Sequence, residues 1–219
     1  MRDEQIVPVL LPKEARLMRL SIPNYYVVTE DGWDTQLSVL TDMGEGVALV
    51  QAMTVDDPLL PLGNFQRLVS TLRGFISGAA EDGQNLGLIE VKTGKTELHA
   101  RDYSACILKG LEDHSKLYYW LCCEIHEGED FVRVSGTFRE GPVTGIRASI
   151  TYNDLRERGE VSIGTPEEGI IGWAADPYDP DWKIGALMNR GEDERYDEMF
   201  LTHPLTMART LVSHLVAMN

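Results

Sequence analysis

The chain opens with short apolar segments that alternate with turn residues. Residues 17–22 stop at Pro23, and residues 25–28 run into Glu30-Asp31-Gly32. Residues 34–40 alternate with Leu37 and Val39 on one face, and residues 47–55 follow the breaker Thr41-Asp42-Met43-Gly44. Period-two alternation between turn dipeptides predicts antiparallel hairpins. Asp56, Asp57 and Pro58 end that pattern, and the period then changes. Leu62, Phe65, Leu68, Val69, Leu72, Phe75, Ile76 and Ala79 recur every three or four residues, which is one apolar stripe of a helix. Gln66, Arg67, Ser70 and Arg73 form its polar face, and Gly78 and Gly83 bracket its end. A stripe this wide can lie across a sheet.

After Gly83 the pattern returns to strands. Residues 86–92 and 96–100 flank Thr93-Gly94-Lys95, read as a tight hairpin turn, and residues 103–109 and 116–126 flank a loop over 110–115. In the long strand, Leu117, Tyr119, Leu121, Cys123 and Ile125 share one face, and Tyr118, Trp120, Cys122, Glu124 and His126 share the other. The first face reads as core; the second, half aromatic and half polar, suits partial cover by another layer. Residues 131–139 form the next strand after Glu127-Gly128-Glu129-Asp130, and Gly141-Pro142 breaks it. Residues 144–158 predict a helix with Ile146, Ile150 and Leu155 inward. Short strands are expected at 160–163, 170–174 and 182–188, and a last helix at 205–218 with Leu205, Ala208, Leu211, Val212 and Leu215 on its stripe. The expectation is an α+β fold: an antiparallel sheet of about six to seven strands packed with helices in α/β/α layers. Residues 1–158 form that domain, and residues 159–219 are a C-terminal extension packed on it.

Two stretches of the pattern resemble a known superfamily, the PsbP/DcrB-like proteins, which also includes the Ran-binding Mog proteins. The likeness rests on Ile22-Pro23-Asn24-Tyr25-Tyr26 followed by Gly32-Trp33, and on the helix after a hairpin. It continues through Tyr103-Ser104-Ala105-Cys106, Tyr118-Tyr119-Trp120, residues 131–138 and the following helix, spanning about residues 17–158. The resemblance implies a binding or adaptor role. It brings no shared catalytic constellation and no site residues, and it implies neither photosystem nor Ran binding.

Charge narrows the partners. The 219 residues carry 20 Lys+Arg against 35 Asp+Glu, a net charge of -15. Nucleic-acid binding relies on clustered cations that release phosphate counterions, and docking on anionic lipid needs the same sign, so both are excluded. No run approaches the roughly 20 apolar residues of a membrane helix. The first twenty residues do not read as a signal peptide, and Cys106, Cys122 and Cys123 read as three reduced thiols, so the expected compartment is the cytoplasm. A bridge within the vicinal pair would be strained, and one from Cys106 would require its strand to lie beside theirs.

Motifs for chemistry fail on inspection. Gly94-Lys95-Thr96 ends like a phosphate loop, but Ile89 stands where the first glycine belongs, and a hairpin does not converge amides on a phosphate. The five histidines, His99, His114, His126, His203 and His214, lack metal-ligand spacing. Cys122 and His126 lie about 13 Å apart on a strand, too far for one ion. Asp176, Asp179 and Asp181 lack the glycine and distal glutamate of a calcium loop. No catalytic, cofactor or metal residue is assigned. The alternative to a binding protein is an enzyme with an acid/base site at Glu124 and His126, completed by Asp113 or His114, or a self-associating structural protein. Candidate partner-binding residues are Tyr118 and Trp120 on the long strand, and Trp173, Tyr178 and Trp182 in the extension. These last three stand among Asp176, Asp179, Asp181, Glu192, Asp193, Glu194, Asp197 and Glu198, an acidic setting for a basic protein partner. A homodimer is the other expected association.

Overall fold

The computed structural model describes residues 4–13, 16–31, 34–54, 58–112 and 116–217. Strands β1 (Glu4–Leu10), β2 (Leu17–Pro23), β3 (Val27–Asp31), β4 (Asp34–Leu40) and β5 (Gly44–Thr54) lead to helix α1 (Phe65–Glu81). Next come β6 (Leu86–Lys95), β7 (Asp102–Glu112), β8 (Lys116–Glu127), β9 (Asp130–Glu140) and α2 (Ile146–Glu157). The last sixty residues hold the two-residue strands β10 (Ser162–Ile163), β11 (Ile170–Ile171), β12 (Ala174–Ala175) and β13 (Met188–Asn189). Two 3₁₀ turns, Arg190–Glu192 and Glu194–Met199, precede α3 (Pro204–Ala217).

Seven strands form one antiparallel sheet in the order β3-β4-β5-β9-β8-β7-β6. The α+β architecture expected from the pattern is the one observed. One face packs on α3 and on the separate β1–β2 ribbon: Leu20, Ile22, Leu37, Val50, Tyr119, Leu121, Ile125, Val132 and Phe138 meet Leu205, Leu211 and Leu215. On the other face, Leu68, Leu72 and Ile76 of α1 meet Leu86, Leu88, Val91, Cys106, Leu108 and Cys122. The β8 alternation read from the sequence therefore separates two apolar layers. Cys106 stands opposite Cys122 in the β7–β8 register, and all three thiols are free and buried.

Helix α1 covers only the β6–β8 half of its face. Farther across, Val47 and Leu49 of β5 are each 38% exposed, and Gln36, Ser38, Ser135 and Thr137 lie beside them in contact with solvent. The sheet's two edges also differ. Along β6, the Ala186 amide donates to the Leu86 carbonyl at 2.8 Å, and the Tyr178 hydroxyl accepts from the Val91 amide at 2.7 Å. Residues of the extension thus lie along that edge, while β3 ends the sheet on the other side.

Several expectations need correction. The tight turn at Thr93-Gly94-Lys95 does not exist: β6 runs through it, with Gly94 paired to Tyr103 and Lys95 to Asp102. The chain reverses over residues 96–101 instead, where Thr96 and Arg101 bond across the turn and Ala100 takes a left-handed φ of 52°. Helix α2 turns Arg147, Thr151 and Leu155 inward and leaves Ile146 and Ile150 exposed. The Arg147 guanidinium finds an ion-pair partner in Asp197 at 2.8 Å and bonds the Gly191 and Asp193 carbonyls and the Thr206 hydroxyl. On α1, Phe75 points out at 56% exposure, and Leu62 precedes the helix and is exposed. The strand β1 had no counterpart in the pattern. Its Pro8 is tolerated because every strand of a two-stranded ribbon is an edge. Val55, Asp56, Asp57, Met218 and the Gly32-Trp33 part of the resemblance lie outside the described residues.

Candidate functional site: a groove beside helix α1

The boundary between the covered and uncovered halves of the sheet is a groove of about 720 Å³. Its floor follows from strand parity, which sends Tyr118 and Trp120 to the α1 side and Tyr119 to the opposite core. Cross-strand pairing makes two rows of side chains, Leu108–Trp120–Thr137 and Gly110–Tyr118–Arg139. Gly110 leaves room for the Tyr118 ring. A Cβ on it would fall 2.4 Å from the Tyr118 ring, so the ring lies across the glycine and its other side borders the groove. Both Tyr118 and Trp120 are half-buried.

The wall is the end of α1 and the start of β6: Phe75, Gly83, Gln84, Asn85 and Leu86. Asn64 caps the helix start by accepting from the Arg67 amide, and Gly83 at φ 77° follows its C-terminal cap, Asp82. The last turn carries no basic residue, and Glu81 and Asp82 stand exposed just before the groove. The carbonyls of Gly78, Ala79 and Ala80 at the helix end accept from the Asp82, Gln84 and Gly83 amides. Glu112 and Arg139, which also line the groove, form a half-exposed ion pair at 3.5 Å. Among the described residues the arrangement offers aromatic faces, two side-chain amides, hydroxyls, and a carboxylate paired with a guanidinium.

Of the five candidate residues, the structure brings Tyr118 and Trp120 together and leaves the other three apart from them. The Tyr178 hydroxyl is held at Val91, its ring stands edge-on to Phe65 at 5.2 Å, and burial pushes its pKa up to about 12. Trp182 donates its indole N–H to the Ile184 carbonyl, and Arg73 lies over its ring at 5.1 Å. Trp173 meets Tyr152 edge-on at 5.5 Å and lines a separate cavity of about 280 Å³. The acidic setting is also largely used up internally. Asp176 and Asp179 pair with Arg73, Glu192 with Lys109 at 2.7 Å, Asp193 with Arg195, and Asp197 with Arg147 and Arg209. Asp181, Glu194 and Glu198 carry no ion pair among the described residues.

Glu124 and His126 occupy the far end of the same sheet face, where Glu124 is fully buried. Its carboxylate accepts from the Leu59 and Leu60 amides at 3.0 and 3.2 Å and from Arg133 Nε at 2.8 Å. Burial would raise its pKa, but the His126 ring, these amides and Arg133 outweigh it and hold the carboxyl below the usual value. His126 stacks on Phe131 at 4.8 Å, with Nε2 3.9 Å from Glu124 and no hydrogen-bond partner. The Glu124 carboxylate thus ties the loop before α1 to the sheet. Asp113 and His114, the expected third members, lie outside the described residues. No three His, Cys, Asp or Glu side chains converge as metal ligands among the described residues.

Sequence reasoning missed Gln84, Asn85, Thr137 and Arg139 as groove residues, because only the strand register sets them beside Tyr118 and Trp120. Phe75 carried a usable signal: it sits at the margin of the α1 stripe.

No family model and no curated protein matches this chain. Among solved structures, the solution structure of cyanobacterial PsbP (CyanoP) from Synechocystis sp. PCC 6803 aligns over 72% of this chain and 91% of its own, at a TM-score of 0.39 and 10% identity.

Proposed function

We propose that the chain is a non-catalytic cytoplasmic binding or adaptor protein, of the kind the PsbP-, DcrB- and Mog-like resemblance implies, and that another protein docks in the groove beside α1. One observation carries the reading: Tyr118 and Trp120 lie side by side on the floor of an open groove, half-buried in the absence of any partner. Large rings in such a position gain contact area at little conformational cost, which is why aromatic residues dominate the energetics of interfaces. The internal use of Glu124 and of most acidic residues in the extension also supports binding here rather than acid/base chemistry or an acidic docking face at residues 173–198.

The test is comparative affinity capture from the native cell with wild type, Trp120→Ala and Trp182→Ala. A central anchor contributes more than about 2 kcal/mol, roughly a 30-fold loss of affinity. The partner should be lost with Trp120→Ala and kept with Trp182→Ala, both variants being folded by circular dichroism. Retention by a folded Trp120→Ala variant would overturn the groove assignment.

A further inference from the structure

We propose that the groove beside α1 is a saccharide site, and that what the partner protein presents to it is a neutral sugar chain. The proposal rests on the binding reading above and names the chemistry that the groove recognises.

The floor is aromatic. The Tyr118 ring lies across Gly110 and turns its other side to the groove, and Trp120 follows two residues along the same strand, about 7 Å away by the rise of a strand. Phe75, 56% exposed, stands at the wall. A sugar ring carries C–H bonds on its faces and hydroxyls round its rim. The C–H groups are weakly positive and meet the negative face of an aromatic ring, while the hydroxyls are left free at the edge.

The margin of the groove holds groups that those hydroxyls can use. Among the described residues, the Tyr118 and Thr137 hydroxyls, the Trp120 indole N–H and the Gln84 and Asn85 side-chain amides have no hydrogen-bond partner within the protein. In the extension, by contrast, the Tyr178 hydroxyl and the Trp182 indole are taken up by Val91 and Ile184. A sugar hydroxyl both donates and accepts, so it pairs with a donor-only indole as readily as with an amide or another hydroxyl. Two neighbouring hydroxyls also match Glu112 and Arg139, one donating to the carboxylate and the other accepting from the guanidinium.

Charge selects an uncharged ligand. Glu112 is paired with Arg139 at 3.5 Å and stands opposite Lys116 in the strand register, so the lining favours neither sign. The open face beyond the groove continues in the same way. Ser38, Val47, Thr137 and Trp120 form one row across four strands, with Gln36, Leu49 and Ser135 in the next, and none of these side chains ionises. A sugar chain can therefore run on from the groove over hydroxyls and an amide. The net charge of -15 repels uronic acids and phosphorylated sugars.

The experiment combines calorimetry and saturation-transfer NMR on the whole chain. The probes are four neutral tetrasaccharides, namely maltotetraose, cellotetraose, mannotetraose and tetra-N-acetylchitotetraose, with tetragalacturonate and adenosine as controls. At least one neutral tetrasaccharide should bind saturably, with transfer strongest at its ring C–H protons, and at least about 10-fold more tightly than either control. Trp120→Ala should weaken it by about 10-fold or more, Trp120→Phe, which keeps a ring, by less, and the exposed Gln84→Ala, chosen to leave the fold intact, by several-fold. The same saccharide in excess should release the partner captured by wild type. Absence of saturable binding by every neutral tetrasaccharide, binding unchanged in both Trp120→Ala and Gln84→Ala, or tighter binding of a control overturns the proposal. A saccharide that binds through Trp120 but leaves the captured partner in place refutes the assignment of the sugar to the partner. Partner capture that needs Trp120 without any saccharide binding removes the sugar and leaves the groove reading standing. Saccharide binding and partner capture both indifferent to Trp120→Ala remove the two together.

Discussion

Replacing Glu124 with glutamine tests whether this carboxylate is the clamp that holds the loop before α1 on the sheet. One carboxylate oxygen, Oε1, accepts from the Leu59 amide and the Arg133 guanidinium, and the other, Oε2, accepts from the Leu60 amide. Glutamine keeps one oxygen, which in the Oε1 place still accepts from Leu59 and Arg133, while its NH₂ group, which only donates, meets the Leu60 amide. The variant thus loses one hydrogen bond to a charged group, worth roughly 1.5–3 kcal/mol, and the bonds it keeps lose their charge assistance. Relaxation returns part of this, and Arg133 still lies over the Phe131 ring at 5.3 Å. We expect a destabilisation of about 2–4 kcal/mol. For a chain of this length that lowers Tm by roughly 10 °C. The sign with pH follows from the carboxyl being held below its ordinary value in the folded protein. Its stabilisation is complete above the unfolded value and is lost as pH falls through the depressed folded one. Urea unfolding of wild type and Glu124→Gln should therefore differ most at neutral pH and converge in acid. A difference under about 1 kcal/mol at pH 7, or one unchanged by acid, would refute the clamp.

Leu72→Ala, which empties a site buried between α1 and the sheet, should cost about 2–4 kcal/mol in urea unfolding, whereas Phe75→Ala on the outward margin should cost less than about 1 kcal/mol. Burial raises the pKa of Cys106 and Cys122, and burial with the nearby Glu124 carboxylate pushes Cys123 up to about 12, so native protein at pH 8 should resist a thiol reagent. Three thiols should titrate under denaturing, non-reducing conditions; finding one would reveal a bridge. Gly87→Ala would place a Cβ 1.5 Å from the Ala186 carbonyl oxygen and force residues 185–187 off the sheet. Its expected signature is a loss of about 1–3 kcal/mol with faster limited proteolysis in that segment; unchanged cleavage would mean the extension is held elsewhere.

The elements legible in the sequence are those whose burial is set by the nearest layer. The β8 alternation separates Tyr119, Leu121 and Ile125 from Trp120 and Cys122, and α1 places Leu68, Leu72 and Ile76 at helical spacing because each face meets a continuous apolar neighbour. The inward face of α2 was illegible for the opposite reason. Arg147 is buried because Asp197, Gly191 and Thr206, more than forty residues away, surround its guanidinium, and hydropathy ranks it as a surface residue. The turn at 96–101 carries no glycine; Ala100 adopts the left-handed conformation, so Gly94 inside a strand drew the prediction instead. Half of the candidate site was visible as Tyr118 and Trp120 on one strand face. The remainder depends on register, since Thr137 and Arg139 reach those rings only through the β8–β9 pairing. The extension's acidic character likewise misled, because Arg73, Lys109, Arg147 and Arg209 come from distant elements to neutralise it.

The covered edge of β6 sets the valence of the sheet. A sheet with two bare edges can accept a neighbour on each side and propagate without limit, the geometry that leads to fibres. Here the Tyr178 hydroxyl and the Ala186 amide occupy the β6 side, leaving β3 as the single edge able to extend the ladder. A joint between two β3 strands would be related by a twofold axis and would consume the β3 edge of each seven-stranded sheet, so growth through that edge terminates at a pair. Glu30 on that short strand adds a carboxylate to each side of such a joint, which raises its cost at low salt.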